Sequence, residues 1–170
     1  PDSIDVGNVN FNIASVMFDQ GHEGAAIPWL QRTLTIFDRV LGGASLKTAS
    51  VLCMLGDSRR LTKDYREAEG PLKRCADIRE ADGGIENPDL AEALHSLALV
   101  YQAEGKMSLA EPRFKLAEKI RENTLGITSP VLAQTMEDHA VLLKQMGRDQ
   151  EAQRLLTLAS AIRKNQAKGK

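Results

Sequence analysis

The chain has two cysteines, Cys53 and Cys75, and three histidines, His22, His95 and His139. A cysteine beside a histidine base makes a nucleophile, but only with an oxyanion site to receive the developing charge. Zinc needs Cys, His or carboxylate ligands at set spacings. Neither pattern is present. No His-Glu-x-x-His run and no paired Cys-x-x-Cys occurs, and no glycine-rich phosphate loop or strained nucleophile turn is found. His22 follows Gly21 and reads as a solvated turn residue. Cys53 and His95 stand one repeat apart, the nearest approach to a catalytic pair. The reading is no catalysis, no metal and no cofactor. Two cysteines are too few for a disulfide framework. Both are therefore expected to be free, small buried hydrophobes, which favours a reducing, cytoplasmic address.

Composition narrows the rest. Apolar residues make up 42% of 170 residues and aromatics only 4%, so a globular chain packed through small side chains is expected. A net charge of −1 gives no field that would draw nucleic acid. The one basic cluster is the polar tail from Arg163 and Lys164 to Lys170, without interleaved aromatics, so no nucleic-acid partner is expected. No apolar run approaches the roughly 20 residues that span a bilayer, so no membrane insertion is expected. No basic segment leads into an apolar one at the start, and the chain opens Pro1-Asp2, as an excised or processed segment would.

What positions the side chains is a repeat. At a shift of 42 residues, without gaps, Ala14, Gly56, Ala98 and Ala140 align, as do Ala26, Ala68, Ala110 and Ala152. Further columns are Leu30, Leu72, Phe114 and Leu156, and Ile36, Ile78, Ile120 and Ile162. Gly21, Gly105 and Gly147 agree, with Lys63 as the exception, and Gly42, Gly84 and Gly126 close successive units. Inside the third unit, Leu94, Leu97, Ala98 and Tyr101 recur at three- and four-residue steps, and so do Ala110, Phe114, Ala117 and Ile120. Each stripe is an amphipathic helix. A unit is helix, short turn, helix, longer loop, and strand signals are absent. Asp64 with Glu67, and Ser108 with Glu111, have the spacing of capping boxes. Pro28 and Pro112 fall near second-helix starts, where a missing N–H costs least. The expected organisation is one domain, 1–170, with repeats at about 4–45, 46–87, 88–129 and 130–166 and a basic frayed tail at 167–170.

The third unit, from Asn87-Pro88 through Leu125-Gly126, resembles the 42-residue version of the tetratricopeptide repeat found in kinesin light chains and many bacterial repeat proteins. Leu97, Ala98, Tyr101, Gly105, Ala110, Phe114 and Ala117 carry the resemblance, which spans about residues 5–164. Arg59 departs from it at the Tyr101 position, and His139 at the Leu97 position; the second unit is expected to pack less tightly. The resemblance implies an all-α, right-handed α-solenoid of four antiparallel helix pairs. It also implies that first helices line a concave surface that binds a protein or peptide.

Carried over by the repeat register, that surface holds Asn8, Phe11, Asn12, Ser15 and Phe18 in the first unit. The second unit offers Ser50, Cys53, Met54, Asp57 and Arg60, and the third Glu92, His95, Ser96, Leu99 and Gln102. The fourth offers Gln134, Glu137, Asp138, Val141 and Lys144. The Lys/Arg/Asn clamp with which some family members grip a terminal carboxylate is missing. Asp57, Glu92, Glu137 and Asp138 outweigh Arg60 and Lys144, so the expected ligand has apolar anchors and some basic character. Two alternatives stand beside this adaptor role. One is a self-assembling scaffold that meets another copy through the C-terminal helix, where Leu155, Leu156, Leu158 and Ile162 spread over more than one face. The other is a regulatory segment of a larger multidomain protein.

Overall fold

A computed structural model describes the chain over residues 3–168, with side chains to 165. Within that range the regular elements are helices: α1 (Ile4–Asp19), α2 (Glu23–Leu41), α3 (Leu46–Leu61), α4 (Tyr65–Gly83), α5 (Pro88–Ala103), α6 (Met107–Leu125), α7 (Pro130–Gln145) and α8 (Asp149–Lys168), with a short 3-10 turn at Gly84–Glu86. They fall into two compact units, Pro1–Asp82 and Gly83–Lys170. The basic tail expected over 167–170 has its last two residues outside the described range, and α8 runs to Lys168.

Local chemistry sets the helix ends. Ser3, Ser45 and Asn87 each accept a hydrogen bond from a backbone N–H in the first turn of α1, α3 and α5. Pro88 and Pro130 occupy the first turn of α5 and α7, where no N–H partner is lost. Between the helices of each pair the same tight turn recurs. His22, Asp64, Lys106 and Arg148 donate their N–H groups to Met17, Arg59, Tyr101 and Leu143. The turn needs a left-handed residue, supplied by Gly21, Gly105 and Gly147 at φ between 74° and 75° and by Lys63 at φ 64°. Lys63 is the only non-glycine with positive φ among the described residues. The capping box expected at Ser108 does not form. The turn finishes one residue earlier than the spacing suggested, Lys106 is the cap and α6 starts at Met107, so Ser108 lies inside the helix. Asp64 does precede α4, but its carboxylate takes the Arg59 guanidinium at 2.6 Å.

The small-residue columns are the contact lines between helices. Ala14, Ala26, Ala68, Ala98, Ala110, Ala140 and Ala152 are fully buried, as are Leu30, Leu72 and Phe114 opposite them. Each such Leu contributes about 2 kcal/mol by leaving water. In the first unit Ala14, Ala26, Leu30, Ile36, Phe37, Val51 and Leu55 form one core across α1, α2 and α3. Two glycines allow closer approach than alanine would. A Cβ on Gly56 would lie 2.4 Å from Leu72 Cγ, and one on Gly7 would lie 2.5 Å from Phe37 Cε1.

The cysteines correct the sequence expectation. Cys53 on α3 and Cys75 on α4 are joined as a disulfide, with Cα atoms 5.5 Å apart. Their separation of 22 residues hid the pairing. Only the antiparallel return of α4 along α3 brings them together. The argument for a reducing compartment from free thiols therefore falls. No helix among the described residues is long and apolar enough to cross a membrane.

Candidate partner-binding site

The candidate residues lie on first helices, and each unit presents its own pair. In the first unit, α1 and α3 carry Phe11, Phe18 and Met54, all half-buried. Phe11 and Met54 rest against the unit's core, so part of each ring or thioether is structural. The Ser15 hydroxyl lies 3.0 Å from the Phe11 carbonyl and 3.7 Å from Met54 Sδ, tying α1 to α3. Asn8 is half-buried and Asn12 exposed on the same helix. Three further candidates are already committed. Cys53 is in the disulfide, which removes its thiolate. Ser50 accepts a hydrogen bond from Arg79 at 2.9 Å. Asp57 pairs with Arg60 at 2.9 Å.

In the second unit α5 and α7 face each other across polar bridges. His95 Nε2 lies 2.9 Å from Asp138 Oδ2, and Gln102 donates to Gln145 at 2.9 Å. Gln134 reaches the same Asp138 carboxylate at 3.3 Å. Between the bridges runs a groove of about 360 Å³ lined by Leu99, Gln102, Ala103, Asp138, Val141 and Gln145. Glu92, Val141 and Lys144 are exposed, whereas Ser96 is buried and offers a ligand little.

Beneath this face lies a layer that sequence reasoning passed over. Arg79, Arg121 and Arg163 form one column of the repeat, on second helices, with Phe37 in the first copy. Each reaches a first helix. Arg121 is buried and donates to Thr135 Oγ1 and, at 3.5 Å, to the Val131 carbonyl. Burial pushes its guanidinium below the ordinary value, and the carboxylates of Glu92 and Asp138 offset part of that cost. Arg163 grips Glu137 through two bonds of 2.6 Å and holds it below the usual carboxylate range. The acid excess counted from first helices is therefore answered in part: Glu137 by the second-helix Arg163, and Asp57 and Asp138 by Arg60 and His95 on first helices. The signal was legible in the Ile-Arg pairs at 78–79, 120–121 and 162–163. It was missed because arginine on a second helix reads as solvent-facing, while its length lets it cross beneath a neighbour.

His139, in a leucine position, is buried, stacks on Phe114 at 5.5 Å with an interplanar angle of 13°, and bonds Glu118 through Nδ1 at 2.8 Å. His95 meets Phe114 at 5.7 Å, tilted by 59°. Both rings are engaged with a carboxylate and an aromatic face. Among the described residues no group of three or more His, Cys, Asp or Glu side chains could hold a metal ion.

The family model described as tetratricopeptide repeat matches residues 5–81 and 89–165. No curated protein sequence matches the chain. Among solved structures, BtubC (BKLC) from P. vanneervenii superposes with a TM-score of 0.86 at 20% identity, over 95% of this chain and 64% of that one. The chain thus spans less than two thirds of BtubC. The nearly identical TPR-like repeats of a Podosopora anserina protein named for the kinesin light chain give 0.80 at 21% identity, covering 95% of this chain and 76% of that one. MamA gives 0.72 at 17% identity, over 95% of this chain and 81% of that one. At these identities the likeness is one of fold, the all-α solenoid of helix pairs.

Proposed function

The chain belongs to the tetratricopeptide repeat family, and from that premise we propose that it holds a protein or peptide segment on the concave face that family geometry assigns to its first helices. It performs no chemical step in this reading. The observation that carries it is the α5–α7 groove. Its floor offers Leu99 and Val141 as apolar contacts, and Gln102, Gln145 and Asp138 supply hydrogen-bonding groups at its edges. An extended or helical segment would place an apolar side chain between Leu99 and Val141 and its polar groups on the amides. Apolar anchors supply most affinity in such sites, and rim charges set encounter and register.

Charge should discriminate less than the residue count suggested. Asp57, Glu137 and Asp138 already have Arg60, Arg163 and His95 beside them. The ligand is therefore defined by its apolar anchors first and by a modest basic excess second. Peptides matched in apolar residues but opposite in charge, followed by fluorescence anisotropy, test this. Leu99→Asp and Val141→Asp are each expected to weaken binding by about tenfold or more. Unchanged affinity in both variants would sink the assignment of the groove, and tighter binding of the acidic set would overturn the basic preference.

A further inference from the structure

Cys53 and Cys75 each occupy a column of the repeat, and the other three copies show what those columns are. The Cys53 column holds Phe11, His95 and Glu137, and all three residues are half-buried, as Cys53 is. The Cys75 column holds Thr33, Ala117 and Ala159, which are 1% exposed or less, with Cys75 at 0%. One sulfur of the disulfide therefore lies where first helices meet solvent. The other lies where second helices are sealed.

The same columns show that a helix pair does not depend on this bond. Phe11 with Thr33, His95 with Ala117 and Glu137 with Ala159 cannot be cross-linked. Yet α1 packs on α2, α5 on α6 and α7 on α8. α3 and α4 share the apolar contacts of those pairs. Ala68 and Leu72 of α4 are fully buried, and Leu72 fills the space over Gly56 of α3. A folded state without the bond is thus open to this pair. Access then decides which sulfur an incoming thiolate can strike. Cys53 offers an approach and Cys75 does not. Arg79 of α4 reaches Ser50, one helical turn before Cys53, at 2.9 Å. A guanidinium therefore stands near the sulfur that carries negative charge on release, which favours a thiolate there.

We propose that the Cys53–Cys75 bond is a thiol–disulfide exchange site, opened by a small thiol through Cys53 while the helix pair stays folded. The reagent's thiolate attacks Cys53 Sγ. The sulfur–sulfur bond breaks, and its electron pair leaves on Cys75, which takes up a proton. A mixed disulfide remains on Cys53. A second thiolate, from the same dithiol or another monothiol, attacks the reagent's sulfur and releases Cys53 as thiolate. Two electrons pass to the protein, and the reagent ends as its own disulfide. The face that changes is that of α3, where Ser50 and Met54 flank Cys53. Exchange here stands apart from peptide binding in the α5–α7 groove.

The parent chain and two variants test this. Dithiothreitol without denaturant is expected to reduce the parent, both thiols being trapped afterwards by alkylation in denaturant, while the helical circular dichroism is kept. Cys75→Ala places alanine where Ala117 and Ala159 stand and leaves Cys53 as the one thiol. Oxidised glutathione should load that variant with one glutathione under native conditions, the Cys53 thiolate taking one sulfur and releasing one glutathione thiolate, as read by intact mass. Cys53→Ser leaves only Cys75, which should react at least about tenfold more slowly because it is buried. Equal rates in the two variants would overturn the proposal. So would a parent that keeps its disulfide in dithiothreitol, or loses it only together with its helical signal, since such a bond opens only on unfolding. The parent measurement needs no substitution, so it decides the matter even where a variant fails to fold.

Discussion

The two units build the same helix-pair brick with different material. In the first, α3 and α4 are held by a covalent bond, and the column that carries arginine elsewhere holds Phe37 against Gly7. In the second, a buried Arg121, two histidine–carboxylate pairs and the Phe114 sandwich do the corresponding work. The difference shows that the repeat constrains size and spacing on each helix, not the kind of bond. Alanine and leucine columns persist because helix separation depends on them. The arginine column tolerates Phe because either side chain is long enough to fill the space beneath a first helix.

The largest expected effect breaks the covalent element. Replacing Cys53 and Cys75 by Ser, or adding reductant, releases a loop of 22 residues and should cost about 3 kcal/mol. Amide exchange should rise in α3 and α4 well before α7 and α8. Equal loss in both regions would contradict the division drawn here.

Next comes Gly56. It lies three residues after Cys53, and Leu72 lies three before Cys75, so the close approach at Gly56 is one turn along from the disulfide. Gly56→Ala should cost about 2 kcal/mol through overpacking. With both cysteines also replaced, α3 is free to back away and the cost should fall. Strictly additive losses in denaturant melts would show that the two features are independent.

A smaller effect runs the other way. Lys63→Gly should raise stability by about 1 kcal/mol, because φ 64° strains any residue with a Cβ. Thermal melting of the variant against the parent would show it, and a lowered melting point would mean that the Lys63 side chain makes a compensating contact.

The least of these effects is an acid sensitivity expected of the second unit. Glu137 is held below its ordinary pKa by Arg163, and Glu111 by Lys115 and Arg148. Carboxylates depressed in the folded state add stability above their unfolded value of about 4.3 and lose it as pH falls through the folded value. Melting temperature against pH should therefore drop on the acid side, and Glu137→Gln should flatten that drop. An unaltered profile would remove Glu137 from the account.

Much of the architecture was legible in the residues. Helix pairs, their turns and the small-residue contact lines follow from a strict 42-residue period, because each column repeats one local environment. Lys63 is an instructive exception, since it adopts the glycine conformation without being glycine. The candidate site was legible only in part. Leu99, Gln102, Asp138 and Val141 were placed on first helices by register, and they line one groove. The arginines beneath them were overlooked because their reach depends on a neighbouring helix.

By itself the order of residues determined which stretches become helices, where they turn and which stripe of each is buried, since these depend on contacts within a few residues or one period. Tertiary packing alone decided that Cys53 meets Cys75 and that Arg121 is drawn inside beside Thr135. Those outcomes depend on which helix face lies opposite, and a side chain's sequence neighbours carry no record of that.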